Sequence, residues 1–324
     1  MDKLAVGVKL GRKTLRCVFI NHQGDIVVRR EMPAYNEQGP EPVIARIVKM
    51  VRDMSAEVGV GIDQFESVGV GVPGPLNSKA GLIYAPPQMK GWDQVPFGPR
   101  LSALLGRTVY IENDCKASGW GEFLYGAGKG CRNMVAIMLG TGVGGAVILD
   151  GKLYAGKDGA AGEIGHIPIA NNGRPCFCGN RGCVEAYVSP SAIVARFRKK
   201  AANGWKSSLV GRGEEITSAD IFSAAASGDP LSLNIVERTG RYLGALAVII
   251  TNFLNPERIV VGGSSLPYAS VMLEHMRQES RKGFFGPHVT VDILPAMLGS
   301  DAGAVGVARL AVMREIEERK KGIE

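Results

Sequence analysis

No apolar run in this chain is long enough to cross a bilayer. The longest candidate, from Leu243 to Leu254, is interrupted by Gly244, Thr251 and Asn252 and falls short of the roughly 20 residues that a spanning helix needs. A buried helix is the reading that fits it. The start of the sequence carries nothing like a secretory signal, so the thiols are expected to stay reduced in the cytoplasm. Low-complexity linkers are also missing. Basic charge is present, a net +7, but in small groups such as Arg29-Arg30, Arg198-Lys199-Lys200 and Arg319-Lys320-Lys321 with acids interleaved. Such dispersion fits solvated faces and argues against nucleic acid as a partner.

What remains is a globular composition, 45% hydrophobic and 21% charged, over 324 residues. That length exceeds what one core usually serves, so two domains are expected. Glycine is abundant, 44 residues, about twice average usage, and much of it ends apolar runs where a backbone can approach a ligand closely.

Strands are expected at Leu4 to Leu10, Thr14 to Ile20 and Ile26 to Arg29, followed by a helix whose apolar positions run from Val43 to Met54 after Pro42. Ser67 to Val72 and Val109 to Ile111 read as further strands, the second ending in Glu112-Asn113-Asp114. The pattern then restarts. Met134 to Leu139, the turn Gly140-Thr141-Gly142-Val143-Gly144-Gly145 and the strand Ala146 to Leu149 repeat the strand, turn, strand arrangement of residues 4 to 20. This reads as an internal duplication within an α/β fold. Asp229-Pro230 opens a long helix to about Leu254, Arg258 to Val261 is a strand running into Gly262-Gly263-Ser264, and a last helix spans about Asp301 to Glu318.

Four positions are suited to metal. His166, Cys176, Cys178 and Cys183 offer an imidazole and three thiolates, enough for a tetrahedral zinc shell, and Gly179 and Gly182 let the chain turn between ligands. Cys176 and Cys178 are too close in sequence to pair comfortably as a disulfide. Cys17, Cys115 and Cys131 stand singly and read as small hydrophobes. The metal-bearing stretch also holds Glu163 and Glu185, which with Asn113 could grip a ring of hydroxyls. Backbone N–H groups of the glycine turn suit phosphate oxygens, and Asp114, just past a strand end, suits proton abstraction. The alternative for Asp114 is a plain helix cap. Phosphate turns, a carboxylate base and acceptor-gripping groups together are the parts that phosphoryl transfer requires.

Glu112-Asn113-Asp114, Leu139 to Gly145, Glu163-Ile164-Gly165-His166, Cys176 to Glu185 and Val260 to Gly263, in this order, resemble the ROK family of repressors and sugar kinases, and within it the bacterial glucokinases. The resemblance implies an actin-like (ribonuclease H-like) duplicated α/β fold of two domains with an interdomain cleft. A small domain is expected over 1–114, completed by the C-terminal helix in 301–324, and a large domain with the zinc knuckle over 115–300. The implied function is ATP-dependent transfer of the γ-phosphoryl group to the 6-hydroxyl of a hexose, most similarly glucose. Asp114 falls on the family's base. Gly74, Asn113, Glu163, His166 and Glu185 fall on its sugar contacts, and His166, Cys176, Cys178 and Cys183 on its zinc ligands. Gly11, Gly140, Thr141, Gly142, Gly144, Gly145, Gly262 and Gly263 fall on its nucleotide contacts. The implied cofactors are ATP, Mg2+ and structural Zn2+. A homo-oligomer, dimer or tetramer, is expected, without membrane or nucleic acid.

The first phosphate loop departs from the family's Asp-x-Gly-Gly-Thr-Lys. Here it reads Lys9-Leu10-Gly11-Arg12-Lys13-Thr14. Lys9 reverses the charge of a residue that helps to hold magnesium, and Arg12 fills a glycine position. Either the cations contact phosphate themselves in a working kinase, or turnover has decayed and a sugar-binding sensor remains. The survival of Asp114 with the second phosphate loop favours the kinase, and the added cations also suit polyphosphate as a donor. A repressor would need a DNA-binding segment ahead of the first strand, which begins within a few residues of Met1.

Overall fold

The structure, a computed structural model, describes residues 3–87, 89–211, 215–263 and 270–322. The chain divides into two compact units. The first comprises Met1–Lys129, Leu153–Ala161 and Ser300–Glu324, and the second Gly130–Lys152 and Gly162–Gly299.

The first unit opens with β1 (Ala5–Leu10), β2 (Thr14–Ile20) and β3 (Ile26–Pro33). Alternating burial along β3 marks a sheet edge with one wet face, which carries the strand four residues beyond its expected end at Arg29. Helix α1 (Pro40–Val58) uses Pro40 in its first turn, buries its apolar stripe from Val43 to Met54 and stops at Gly59, whose φ is 66°. Then follow β4 (Ser67–Val72), the short hairpin β5 (Leu76–Asn77) and β6 (Leu82–Ile83), α2 (Phe97–Leu105), β7 (Val109–Asn113) and α3 (Asp114–Tyr125). The sheet order is β3-β2-β1-β4-β7, with β1 antiparallel to β2 and parallel to β4.

A C-terminal helix, Ala302–Lys321, closes this unit, and residues 302–308 and 310–312 are all buried. This first half of the helix is buried almost all round because it is sandwiched. A Cβ on Gly7 would lie 1.9 Å from the Ala304 carbonyl oxygen, and one on Gly69 2.4 Å from that of Val307. The helix backbone therefore rests directly on β1 and β4. On its other side a Cβ at Gly306 would meet the Ala117 carbonyl oxygen of α3 at 1.8 Å. This contact carries α3 into the first unit, so the division falls after Lys129 and not after residue 114 as the sequence suggests.

The second unit repeats the plan with β8 (Met134–Leu139), β9 (Val143–Leu149) and β10 (Lys152–Leu153). Helices α4 (Glu185–Val188), α5 (Pro190–Ala202), α6 (Ser218–Ala226) and α7 (Pro230–Leu254) come next, then β11 (Arg258–Gly263), α8 (Ser270–Arg281) and β12 (Asp292–Pro295). Its sheet order is β10-β9-β8-β11-β12, with β8 antiparallel to β9 and parallel to β11. Two hairpin-led sheets with the same strand logic carry the duplication seen in the sequence. Asp229 caps α7, its carboxylate accepting from the Ser232 N–H at 2.8 Å, and Asn255 ends it in the left-handed region at φ 43°. Gly262 and Gly263, expected as a turn, are the last two residues of β11, paired with Met138 and Leu139; Ser264, which follows them, lies outside the described residues.

Candidate active site

Asn113 and Asp114 stand where β7 gives way to α3. Asn113 is the helix cap, its side-chain oxygen accepting from the N–H groups of Cys115 at 2.9 Å and Lys116 at 3.1 Å. Asp114 is the first helical residue, so the capping role that the sequence left open for it is taken by its neighbour. The Asn113 amide nitrogen faces Gly74, where a Cβ would lie 3.1 Å away. Burial pushes the Asp114 carboxyl above the ordinary carboxylate range, while the Lys9 ammonium and hydrogen bonds from Cys115 act to lower it. Glu112 holds this corner from behind, taking the Asn113 N–H at 2.8 Å on one oxygen and Arg314 of the C-terminal helix on the other.

The first loop joins β1 to β2. Gly11 N–H donates to the Thr14 carbonyl at 2.8 Å, and the loop is tied down by Asn36, whose amide reaches the carbonyls of Gly11 at 2.9 Å and Arg12 at 3.2 Å. Arg12 and Lys13 are exposed. No sequence signal near Asn36 marks this role, because it arises from a residue 25 positions away from Gly11.

In the second unit, β8 and β9 pair as far as Leu139 with Val143, so the turn is only Gly140-Thr141-Gly142. Gly144 and Gly145 lie within β9, opposite Met138 and Ile137, and are not part of the turn. At Gly145 the missing side chain serves packing, since a Cβ there would lie 2.5 Å from the Ile164 side chain. Gly140 N–H is taken by the Gly142 carbonyl at 3.0 Å, and Thr141 is exposed at the tip. Gly263, in register with Leu139 at the end of β11, sits beside this turn at φ 138°.

Glu185 connects the turn to the cysteine segment. Its carboxylate accepts from the Val143 N–H at 2.6 Å, and a Cβ on Gly142 would lie 2.2 Å from the same oxygen. Burial raises the Glu185 carboxyl, the Val143 bond and His166 lower it, and Glu163 raises it further. Glu163, His166 and Glu185 thus share one electrostatic neighbourhood, with Glu163 exposed and Glu185 buried.

His166, Cys176, Cys178 and Cys183 converge, their ligand atoms all within 4.8 Å of one another. His166 Nδ1 is 3.7 Å from Cys176 Sγ, and Cys178 Sγ is 3.8 Å from Cys183 Sγ. A tetrahedron with Zn–S of about 2.3 Å and Zn–N of about 2.0 Å has edges of about 3.8 Å between sulfurs and about 3.5 Å from sulfur to nitrogen. The donor set therefore fits zinc in kind, and these two pairs match the edges of its tetrahedron. Because Nδ1 faces the sulfurs, the other ring nitrogen remains for a second partner. The knuckle turns through Gly179 and Gly182, both at positive φ, and is pinned by Cys176 N–H to the Asn180 carbonyl at 2.8 Å.

The sequence model of the ROK family matches residues 5–314. The chain belongs to the ROK family. A glucokinase of Halalkalibacterium halodurans is 32% identical to this ROK chain over 330 aligned residues, covering 100% of this chain and 99% of that one. A ROK family glucokinase from Streptomyces griseus, solved in complex with glucose and AMPPNP, matches with a TM-score of 0.83 and 30% identity over 96% of this chain and 99% of that chain. A ROK family transcriptional regulator, a homologue of the E. coli MLC protein, matches with a TM-score of 0.85 and 28% identity, covering 96% of this chain and 79% of that one. The architecture is accordingly the actin-like (ribonuclease H-like) duplicated α/β fold of ROK proteins. No described helix is long and apolar enough to cross a membrane.

Proposed function

We propose that this ROK protein is an ATP-dependent hexose kinase that transfers the γ-phosphoryl group to the 6-hydroxyl of a hexose, with glucose as acceptor and Asp114 as general base. The observation that carries the reading is the cap: the Asn113 side chain accepts from the N–H groups of both Cys115 and Lys116, so the cap of α3 does not depend on the Asp114 carboxylate at the strand end. An aspartate so placed can take the hydroxyl proton as oxygen attacks phosphorus.

In this reading the sugar-holding groups are Gly74 and Asn113 in the first unit and Glu163, His166 and Glu185 in the second. The Gly140-Thr141-Gly142 turn and Gly262-Gly263 would hold nucleotide in the second unit, and Gly11 in the first. Zinc bound by His166, Cys176, Cys178 and Cys183 would supply rigidity, fixing the segment that carries both glutamates. Magnesium is a different case. Lys9 brings an ammonium to the end of β1 where the family motif has a carboxylate, the wrong sign for a ligand, and no step is assigned to that ion. The same reading places the protein in the cytoplasm as a homo-oligomer.

A coupled assay for ADP release across a hexose panel tests the proposal. Asp114→Asn is expected to abolish turnover with glucose while sugar binding by calorimetry persists; retained turnover in that variant would remove Asp114 as base. The second reading, sugar binding without turnover, is favoured by one observation, the Lys9 and Arg12 side chains in the first loop. It predicts glucose binding with no ADP release from the wild-type protein.

A further inference from the structure

Lys9, the next-to-last residue of β1, is in register with Gly71 of β4, and Gly71 is in register with Glu112 of β7. A Cβ on Gly71 would lie 3.6 Å from Asp114 Cα. On the C-terminal helix, a Cβ on Gly303 would lie 2.6 Å from Lys9 Cδ and 2.9 Å from Ser118 Oγ, and that hydroxyl donates to the Asp114 carbonyl at 2.7 Å. The stem of Lys9 therefore passes over Gly303, where a missing side chain leaves it room, beside the Ser118 hydroxyl of the first turns of α3.

The other charged groups around that turn have partners of their own. Glu112 of β7 pairs with Arg314, Lys116 of α3 is buried with its ammonium on the Gly159 carbonyl, and Asp301 at the head of the C-terminal helix pairs with Arg16 and Arg29. Lys9 is the charge that acts on the Asp114 carboxylate.

We infer that Lys9 is a positioning residue for phosphoryl transfer, a fixed counter-charge that keeps the neighbouring Asp114 carboxylate in its proton-accepting form. The inference rests on the reading of Asp114 as base. The hydroxyl proton passes to an Asp114 oxygen as the new oxygen–phosphorus bond forms and the bond to the departing ADP breaks; Lys9 exchanges no proton. A carboxylate taken out of water favours its neutral form, and an opposite charge nearby works against that preference. The residue that departs most from the family motif thus has a task of its own at the base.

The test is the pH profile of kcat/KM for glucose in wild type, Lys9→Met, Lys9→Gln and Lys9→Arg, with Asp114→Asn as control. Loss of the charge is expected to move the acid limb of Lys9→Met and Lys9→Gln to higher pH. Each unit of displacement lowers activity about tenfold on the acid side and leaves it nearly unchanged above both limbs. Lys9→Arg should keep the limb in place. A loss of equal size at every pH, or an unmoved limb, would overturn the inference, because a lysine that only packs or touches phosphate has no reason to change the titration of the base. The glutamine variant answers the same question if the methionine variant fails to fold. An inactive Asp114→Asn with an unmoved limb in Lys9→Gln sinks this inference alone, whereas an active Asp114→Asn sinks the reading of the base beneath it.

Discussion

Replacing Asn113 separates two roles that one side chain holds at the head of α3. Its oxygen accepts from two backbone N–H groups, at 2.9 and 3.1 Å, while its amide nitrogen faces Gly74. Asn113→Ala removes both and leaves the first turn of a half-buried helix without its acceptor. The expected cost is about 1 to 2 kcal/mol of stability, the upper part of the range for lost caps, because two donors lose their partner. Asn113→Ser keeps a capping oxygen and is expected to remain within about 0.5 kcal/mol of wild type. Neither variant retains the amide, so both should bind glucose more weakly, by roughly three- to tenfold if one hydrogen bond of about 1 kcal/mol is lost. Urea unfolding followed by fluorescence reads the first effect, and titration calorimetry with glucose reads the second. Equal unfolding midpoints for the alanine and serine variants would refute the cap, and with it the argument that Asp114 is spared for chemistry. Wild-type glucose affinity in Asn113→Ser would refute the assignment of the amide to the sugar.

Removal of zinc by a chelator, verified by metal analysis, should lower stability by several kcal/mol and sugar affinity with it. The reason is linkage along the chain, since Cys183 and Glu185 are near neighbours and His166 follows Glu163 closely; unchanged melting and binding in the metal-free protein would contradict it. Asp229, the cap of α7, is drawn down to about 2 by its hydrogen bonds from Ser232 and Ser208, despite burial acting to raise it. Its folded value lies below the unfolded one, so the ionised form stabilises. That contribution, about 2 kcal/mol, is present above about pH 4 and is lost as pH falls toward 2. Urea unfolding of Asp229→Asn should therefore show a deficit at pH 7 that closes in acid, and a deficit independent of pH would show that the charge is not what matters.

Periodicity and turn chemistry placed most of the scaffold. Thr14–Ile20, Ser67–Val72 and Met134–Leu139 have the bounds that their apolar runs suggest, and Asp229-Pro230 opens the helix it announces. The glycine-rich turn is shorter than its sequence suggests because glycine signals both turns and tight packing. At Gly145 the second meaning holds, and only the approach of Ile164 reveals it. The extent of the first unit was misjudged for a related reason. A strand end looks like a boundary, but α3 belongs with the C-terminal helix through a contact between residues nearly 190 positions apart, Ala117 and Gly306. The cysteine cluster was legible in full, as short spacing leaves few geometries open. The roles of Asn36, of Glu112 with Arg314 and of the Val143 N–H on Glu185 were not, because each is a long-range polar pairing without a local pattern.

The C-terminal helix that rests on Gly7 and Gly69 is made long after the strands it covers. While a ribosome synthesises the stretch between the end of α3 and Ala302, at about 5 to 20 residues per second, the sheet of the first unit waits roughly ten to thirty-five seconds with its glycine-floored groove uncovered. The second unit, being nearly continuous in sequence, can consolidate during that interval. The birth order of the two halves is therefore the reverse of their order along the gene: the half that begins first is completed last, and a nascent chain stalled before residue 302 would display a bare apolar trough for chaperones to occupy.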